Sequence, residues 1–249
     1  MRSAASSRPA PSQSVSEAAR RLAEAGCDTP WLDAELLLRE GADLNRRIAR
    51  EPVAYILGRK AFRWIELSVD RRVLIPRPDT ETLVEVALSL ASQGARVHDV
   101  GTGSGAIALA MKAERPDLVV TASDASPEAV EVALENAARL GLDVPVTVAR
   151  GWPAGEYDLV VANLPYVRED EWEDLAPEIR LYEPSEALVS GPDGLDAIRE
   201  LAAGVPAGTL LALEHAPSQA AAVRGLLGEG ARTERDLAGR ERVTVGRAP

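Results

Sequence analysis

The sequence predicts a doubly wound α/β fold with a small helical domain at its N-terminus. From Asp79 to the C-terminus, amphipathic helical patterns alternate with short apolar runs that are typical of buried strands. A glycine-rich turn links one of these runs directly to a helical pattern, as is common in parallel sheets. The length of 249 residues accommodates one large domain with a small appendage.

The N-terminal region is predicted to contain a leader and a small helical domain. Residues 1–15 are rich in Ser, Ala and Pro, and we interpret them as a disordered leader because they lack the apolar stretch of a signal peptide. We therefore expect a cytoplasmic protein. Residues 16–58 have the pattern of a helical domain, with a capping box at Ser14, a second start at Thr29-Pro30 and a third helix near 44–50.

Residues 59–78 are predicted to form a connecting β-hairpin. Polar and apolar residues alternate from Phe62 to Asp70, which predicts one strand, and Val73 to Ile75 are predicted to pair with it. The segment Pro76-Arg77-Pro78 then stops regular structure.

Residues 79–249 are predicted to form the main domain, a parallel sheet covered on both faces by helices. The last two strands have no helix between them, so one of them is expected to be antiparallel. The predicted helices cover 79–93, 105–114, 127–140, 193–204 and 217–228, and the seven predicted strands cover 95–100, 118–123, 145–149, 157–162, 208–214, 230–235 and 241–247.

Composition and charge exclude several classes of protein. The net charge of −11 and the scarcity of lysine, found only at Lys60 and Lys112, argue against a protein that follows a nucleic-acid backbone. Cys27 is the single cysteine, which excludes an intramolecular disulfide and a cysteine-based zinc site. No cluster of His, Cys or carboxylates has metal-ligand spacing, and no apolar run is long enough to span a membrane, so we predict no metal and no membrane contact.

The glycine-rich turn predicts a nucleotide-like cofactor. Asp99 precedes Gly101-Thr102-Gly103-Ser104-Gly105, and Asp124 ends the next strand, where its carboxylate can accept hydrogen bonds from both hydroxyls of a ribose. The run also satisfies the relaxed dinucleotide pattern, so NAD stays an alternative. The extra Gly105 and the acidic residue ahead of the turn favour S-adenosyl-L-methionine, with S-adenosyl-L-homocysteine as its product.

The segment Asn163-Leu164-Pro165-Tyr166 follows a buried strand and is predicted to face the same crevice. A planar NH2 group is a poor nucleophile, and two acceptors, the Asn163 side-chain oxygen and the Leu164 carbonyl, can aim it at a methyl donor. Pro165 keeps Leu164 extended, and Tyr166 can pack on the flat face of the substrate group. These four residues are the predicted catalytic residues.

Longer motifs resemble the HemK/PrmC-type peptide chain release factor glutamine N5-methyltransferases, between about Asp33 and Gly246. One of them, Pro76-Arg77-Pro78-Asp79-Thr80-Glu81, is much more diagnostic of this family than the glycine turn. Further motifs are Glu51-Pro52-Val53-Ala54-Tyr55-Ile56-Leu57-Gly58, Tyr182-Glu183-Pro184, Gly191-Pro192-Asp193-Gly194-Leu195 and Asp236-Leu237-Ala238-Gly239-Arg240-Glu241-Arg242.

The resemblance implies a seven-stranded, Rossmann-like methyltransferase sheet and a peptide chain release factor as the protein substrate, modified on the glutamine of its Gly-Gly-Gln loop. It implies that residues 101–105, Asp124, Trp152 and Asn163 contact the cofactor, with Trp152 beside the adenine, and that the helical domain binds the release factor. Leu164 replaces the first proline of the family's Asn-Pro-Pro-Tyr. No direct contact with nucleic acid is implied.

Two other functions stay open at the level of sequence. Asn-Leu-Pro-Tyr is also similar to the motif of rRNA adenine dimethyltransferases, so an exocyclic amine of a nucleic-acid base is an alternative target. The second open function is that of a non-catalytic module that binds S-adenosylmethionine. It stays open because Leu164 departs from the family pattern and the helical domain is short. His98 and His215 are predicted to be structural residues.

Overall fold

The computed structural model describes residues 14–152 and 155–249. The chain divides into two compact units, Met1–Leu57 and Gly58–Pro249. The predicted disordered leader lies outside the described residues except for Ser14 and Val15, which already belong to the start of the first helix.

The described part of the N-terminal unit is helical, as the sequence predicts. The Ser14 hydroxyl caps the first helix by accepting a hydrogen bond from the backbone N–H of Glu17 at 3.2 Å. Thr29 does not cap the second helix as expected, because its hydroxyl donates to the Asp33 carboxylate at 2.8 Å instead. The helices are α1 (Val15–Glu24), α2 (Pro30–Arg39), α3 (Leu44–Ile48) and α4 (Val53–Leu57).

Helix α4 is absent from the sequence prediction. Arg50 takes a left-handed conformation (φ 70°), which ends the helical path two residues earlier than expected. Pro52 then accepts a hydrogen bond from Tyr55 at 3.0 Å and begins a new turn, because proline is tolerated where a helix starts. The same proline therefore separates α3 from α4.

The connecting segment forms a hairpin, but not the predicted one. Strand β1 (Arg59–Phe62) pairs antiparallel with β2 (Ile65–Ser68), and Arg63 occupies the turn with φ 47°. The prediction of one strand from Phe62 to Asp70 is wrong, and Val73 to Ile75 form no strand. The missed signal is a change of phase, since the buried positions switch from even numbers at Phe62 to odd numbers after the turn.

The seven-stranded sheet of the second unit confirms the predicted fold class. Its order is β5-β4-β3-β6-β7-β9-β8. Among these described strands, β9 runs in the direction opposite to the other six, so its pairings with β7 and β8 are antiparallel. The strands are β3 (Arg96–Val100), β4 (Val119–Asp124), β5 (Val146–Val148), β6 (Leu159–Ala162), β7 (Leu210–Glu214), β8 (Arg232–Arg235) and β9 (Glu241–Arg247).

The helices of this unit follow the predicted alternation with one addition. Helix α8 lies in the acidic stretch expected to be irregular, after an exposed 3-10 turn at Glu169–Asp174. The helices are α5 (Glu81–Leu90), α6 (Ala106–Glu114), α7 (Pro127–Leu140), α8 (Pro177–Tyr182), α9 (Asp196–Gly204) and α10 (Ala220–Leu227). Among the described residues, no helix combines the length and apolar character that crossing a membrane requires.

The core of this unit positions the carboxyl ends of the central strands. Strand β6 is fully buried, and side chains of β6, β7 and α9 form one apolar cluster with Val100 at the end of β3. This packing fixes β3 and β6 side by side in parallel, with Val100 opposite Ala162. The residues that follow these two strands therefore emerge at one edge of the sheet.

Candidate active site

A cavity of about 540 Å³ lies at the carboxyl ends of β3, β4 and β6. Its lining includes Gly101 and Gly103 after β3, Asp124 at the end of β4, and Asn163 after β6. Open α/β sheets bind ligands at this edge. The structure thus brings the glycine turn, the acidic strand end and the Asn-Leu-Pro-Tyr segment to one site.

The turn after β3 requires glycine because of its backbone conformation, and two of its glycines also lie close to leucine side chains. Gly101, Gly103 and Gly105 have φ values of 72°, 55° and 85°, a region that residues with a Cβ rarely adopt. A Cβ added at Gly101 would lie 2.9 Å from Cδ2 of Leu164, and one at Gly105 would lie 2.7 Å from Cδ1 of Leu109.

The other residues of the turn support it rather than line the cavity. The Thr102 hydroxyl donates to Oδ2 of Asp99 at 2.6 Å, and the Ser104 carbonyl accepts a hydrogen bond from Asn136 at 2.9 Å. Burial raises the pKa of Asp99 to about 7, although the hydrogen bonds from Thr102 and Ala108 oppose that shift. Thr102, Ser104 and Gly105, all predicted to contact the cofactor, are not among the lining residues.

Asp124 is half-buried at the cavity, and the backbone fixes both of its carboxylate oxygens. Oδ2 accepts from the N–H of Gly103 at 2.8 Å, and Oδ1 accepts from the N–H of Ser126 at 2.9 Å. A carboxylate has about four acceptor positions, so each oxygen keeps one for a ligand hydroxyl. This geometry suits a vicinal diol such as a ribose.

The side chain of Asn163 is oriented by a residue that the sequence analysis did not assign to the site. Its Nδ2 donates to the hydroxyl of buried Thr80 at 3.0 Å, which leaves Oδ1 as the atom available to a ligand in the cavity. Thr80 belongs to a diagnostic motif, Pro76 to Glu81, and that motif was the signal from which it could have been found.

The remainder of the segment divides between two cavities. Leu164 and Pro165 line the large cavity with Asn163, whereas Tyr166 lines a small neighbouring cavity of about 40 Å³ that also includes Asn163 and Leu164. The Tyr166 hydroxyl donates to Oε1 of Glu214 at 3.4 Å. Burial raises the pKa of Tyr166 to about 12, so the phenol is neutral at physiological pH.

Glu214, at the end of β7, is a second residue that the sequence analysis did not assign to the site. It has no solvent exposure, and its Oε2 has no hydrogen-bond partner within the described residues. Burial raises its pKa to about 7, while hydrogen bonds from Thr80 and Tyr166 and the charge of Arg242 act in the opposite direction. Glu214 thus contacts the last residue of the Asn163 to Tyr166 segment directly.

Trp152 does not line the cavity, although the resemblance places it beside the adenine. Its ring meets Tyr157 edge to face at 5.2 Å and packs against the apolar cluster of β6, β7 and α9. The neighbouring residues Arg150 and Gly151 line the cavity instead.

The two histidines have structural surroundings. His98 lies between the hydroxyls of Thr121 and Ser123, at 2.7 and 2.9 Å, and burial lowers its pKa to about 4. His215 contacts the carbonyl of Ala216 and the hydroxyl of Thr244. Among the described residues, no group of three or more His, Cys, Asp or Glu side chains is placed to hold a metal ion.

Gln219 holds the far end of the Asn163 to Tyr166 segment. Its Nε2 donates to the carbonyls of Tyr166 and Asp193 at 2.9 and 3.0 Å, and its Oε1 accepts from the N–H of Ala216 at 2.9 Å. The backbone passes so close at Gly194 that an added Cβ would lie 2.2 Å from the Tyr166 carbonyl oxygen.

We expect Gln219→Leu to lower the free energy of unfolding by about 2 kcal/mol, because it leaves buried polar groups without partners. Chemical denaturation measures this change, and Gln93→Leu, at an exposed glutamine, is the matched control. Equal stability of the two variants would contradict the role of Gln219.

The chain is similar to several known proteins. A family model described as the methyltransferase small domain matches residues 78–191. A release factor glutamine methyltransferase of Xylella fastidiosa is 43% identical over 245 residues, covering 90% of this chain and 89% of the relative. One from Neisseria gonorrhoeae is 43% identical over 225 residues, covering 84% and 82%.

A solved structure supports the fold. A chain of the Mtq2–Trm112 complex of E. cuniculi, described as responsible for methylation of the eRF1 translation termination factor, matches with a TM-score of 0.51 at 20% identity. The match covers 72% of this chain and 99% of that one, and at this identity it shows the fold alone. The two bacterial relatives are much closer in sequence, and from their identity and coverage the chain belongs to the release factor glutamine methyltransferase family.

Proposed function

We propose that this protein transfers a methyl group from S-adenosyl-L-methionine to the side-chain amide nitrogen of a glutamine, in the Gly-Gly-Gln loop of a peptide chain release factor. The observation that carries the proposal is the orientation of Asn163. Its Nδ2 is occupied by Thr80, and its Oδ1 is free to accept a hydrogen bond in the cavity that also contains Gly101 and Asp124.

The lining residues fit S-adenosylmethionine. Gly101 and Gly103 present backbone without side chains, and the carboxylate of Asp124 keeps an acceptor position on each oxygen for the ribose hydroxyls. When bound, S-adenosylmethionine supplies an electrophilic methyl group on a sulfonium. Thr102, Ser104 and Gly105 hold the turn from behind, and the contact of Trp152 with the adenine stays a prediction.

The segment after β6 supplies the acceptors that a primary amide needs. Oδ1 of Asn163 and the carbonyl of Leu164 would each accept one N–H of the glutamine, which fixes the nitrogen and favours positive charge developing on it. Pro165 restricts Leu164 to an extended conformation, so this carbonyl is held without the proline usual at position 164 in the family. Tyr166 is neutral and can pack on the flat face of the amide.

Mass spectrometry of a bacterial class-1 release factor after incubation with the protein and S-adenosylmethionine tests the proposal. We expect one added methyl group, located on the Gly-Gly-Gln glutamine. Parallel incubation with rRNA and a labelled cofactor tests the alternative target. Label in RNA alone would overturn the proposal, and so would the absence of turnover on the release factor.

We further propose that the helical N-terminal unit contacts the release factor. Helix α2 presents two adjacent exposed apolar side chains, Trp31 and Leu32, with exposed fractions of 58% and 63%. Large aromatic side chains are enriched among the residues that contribute most to binding at protein interfaces.

Trp31→Ala is expected to raise KM for the release factor about tenfold or more, the effect of losing one anchoring aromatic residue, with kcat unchanged. Steady-state kinetics on the intact release factor measures both constants. Leu134→Ala, at an exposed leucine of α7, is the matched control. A fall in kcat at constant KM would contradict a role in binding.

A further inference from the structure

The small cavity beside the Asn163 to Tyr166 segment has few polar side chains in its lining. Its volume is about 40 Å³, and Asn163, Leu164 and Tyr166 all border it. These are the residues proposed to hold and cover the substrate amide, so the amide would lie in this cavity. Among the described residues that line it, the polar side chains are those of Arg77, Asn163 and Tyr166, and the apolar ones are those of Leu74, Leu164, Val167, Ala187 and Leu188.

A primary amide brings an acceptor as well as two donors into this cavity. Asn163 and the Leu164 carbonyl are proposed to accept the two N–H groups, whereas the amide oxygen needs a donor. A buried carbonyl oxygen without a hydrogen bond costs free energy, because it has given up its contact with water. Recognition of the amide is therefore incomplete without a donor for this oxygen.

Two of the three polar side chains direct their donors elsewhere. The Nδ2 group of Asn163 is turned to the hydroxyl of Thr80, at 3.0 Å. The Tyr166 hydroxyl donates to Oε1 of Glu214 at 3.4 Å. Arg77 is thus the side chain in this lining that can donate into the small cavity.

Arg77 is fixed by one of its nitrogens and keeps donors on the others. Its Nη2 donates to Oε1 of Glu183 at 2.5 Å, the single hydrogen bond that this guanidinium makes among the described residues. The Glu183 side chain is 1% exposed and that of Arg77 is 32% exposed. Oε2 of Glu183 accepts from the N–H of Ile75 at 3.2 Å, so the carboxylate itself is anchored. A guanidinium has several N–H groups in a planar fork, and those not used by Glu183 are available to a ligand.

We propose that Arg77 binds the substrate by donating a hydrogen bond from its guanidinium to the side-chain carbonyl oxygen of the target glutamine. The inference rests on the proposed function, because it adds a donor to a site whose acceptors were assigned there. Glu183 is then a positioning residue, since it holds Arg77 and lines neither the large nor the small cavity.

This hydrogen bond is expected to contribute to binding rather than to the rate of the bound complex. As the amide nitrogen bonds to the methyl group, its lone pair is withdrawn from the carbonyl, and the oxygen becomes a weaker acceptor. The bond from Arg77 is therefore stronger in the ground state than in the transition state. Its loss should raise KM for the release factor and leave kcat at or above the wild-type value.

Calorimetric titration of the protein loaded with S-adenosyl-L-homocysteine tests the contact without turnover. Two release factors are titrated, the intact factor and one in which leucine replaces the Gly-Gly-Gln glutamine. The proteins compared are wild type, Arg77→Met and Glu183→Gln. Arg232→Met, at an exposed arginine of β8 that also pairs with a glutamate, is the matched control.

Wild-type protein is expected to prefer the glutamine factor, and Arg77→Met to lower this preference about tenfold or more, the typical effect of losing a hydrogen bond to a charged group. The comparison isolates the contact between Arg77 and the amide, because effects elsewhere in the interface cancel. Glu183→Gln and Arg232→Met should keep most of the preference, since both retain the donors of Arg77. In steady-state kinetics, Arg77→Met should raise KM without lowering kcat.

An unchanged preference in Arg77→Met would overturn the proposal. An equal loss in Arg77→Met and Glu183→Gln would assign the effect to the ion pair and would overturn it as well. Should Arg77→Met fail to fold, the double variant with Glu183→Gln removes the unpaired buried carboxylate and takes the same test.

The wild-type protein separates this proposal from the proposed function. Methylation of the glutamine factor together with equal binding of both factors would overturn only the role of Arg77. Absence of methylation would instead overturn the proposed function, so the two failures are distinguishable.

Discussion

Asn163→Ala is expected to lower kcat for glutamine methylation about 10²- to 10³-fold, the usual cost of removing one hydrogen-bonding group that acts on charge developing in the transition state. The affinity for S-adenosylmethionine should change little, because the residues proposed to hold its ribose and amino acid part lie after β3 and β4. The loss is expected in kcat because the acceptor matters most when the amide nitrogen becomes positive.

Single-turnover kinetics with the intact release factor, together with calorimetric titration of the cofactor, separates these effects. Asn163→Gln is the informative companion, because it keeps an amide but moves it by one methylene. An Asn163→Ala enzyme with wild-type kcat would contradict the assigned role, whereas a variant that loses both turnover and cofactor binding would show that Asn163 supports the cofactor site.

Asp124→Asn is expected to weaken S-adenosylmethionine binding about 100-fold. A hydrogen bond to a charged group contributes about 1.5–3 kcal/mol, and every 1.4 kcal/mol is tenfold in affinity. The substitution also turns one oxygen into an NH2 group, which would face the N–H of Gly103 or of Ser126. Two donors then meet, so either the turn that carries Gly103 or the backbone at Ser126 loses one of its supports.

Calorimetry measures the dissociation constant, and Asp143→Asn, at an exposed aspartate, is the matched control. The same removal of charge at Asp143 should leave affinity unchanged. Equal affinities in the two variants would contradict the assignment of Asp124 to the ribose.

The sheet was predictable because apolar runs, typical of buried strands, alternate with helical patterns along the sequence. The strand from Leu159 to Ala162 is buried at every position, so tertiary packing and local sequence agree there. The hairpin was mispredicted because alternation by itself does not reveal a turn when Arg63 adopts a left-handed conformation. That conformation is supported by distant partners, Glu81 and Glu114.

Site residues were predictable only where the residue type and its spacing in the sequence indicate a chemical role. Gly101, Asp124 and Asn163 were found in this way, and all three line the cavity. Thr80 and Glu214 were not, because their importance comes from contacts such as the one that joins Thr80 to Asn163 across 83 positions of the chain. A motif also does not tell which of its residues face a ligand, and Thr102 turned inward to Asp99.

The position of Glu214 on β7 has a consequence for synthesis of the protein. The cavity and its supports draw on residues from Arg71 to Glu214, so a nascent chain that has exposed β3, β4 and β6 has the glycine turn and Asn163 but lacks the β7 carboxylate. Folding that depends on parallel pairing between such distant segments is slow, because closing the loop costs entropy before the new contacts stabilise the sheet. The hydrogen bond from Tyr166 to Glu214 therefore forms only once β7 has paired beside β6, so this contact reports that the two distant segments have come together.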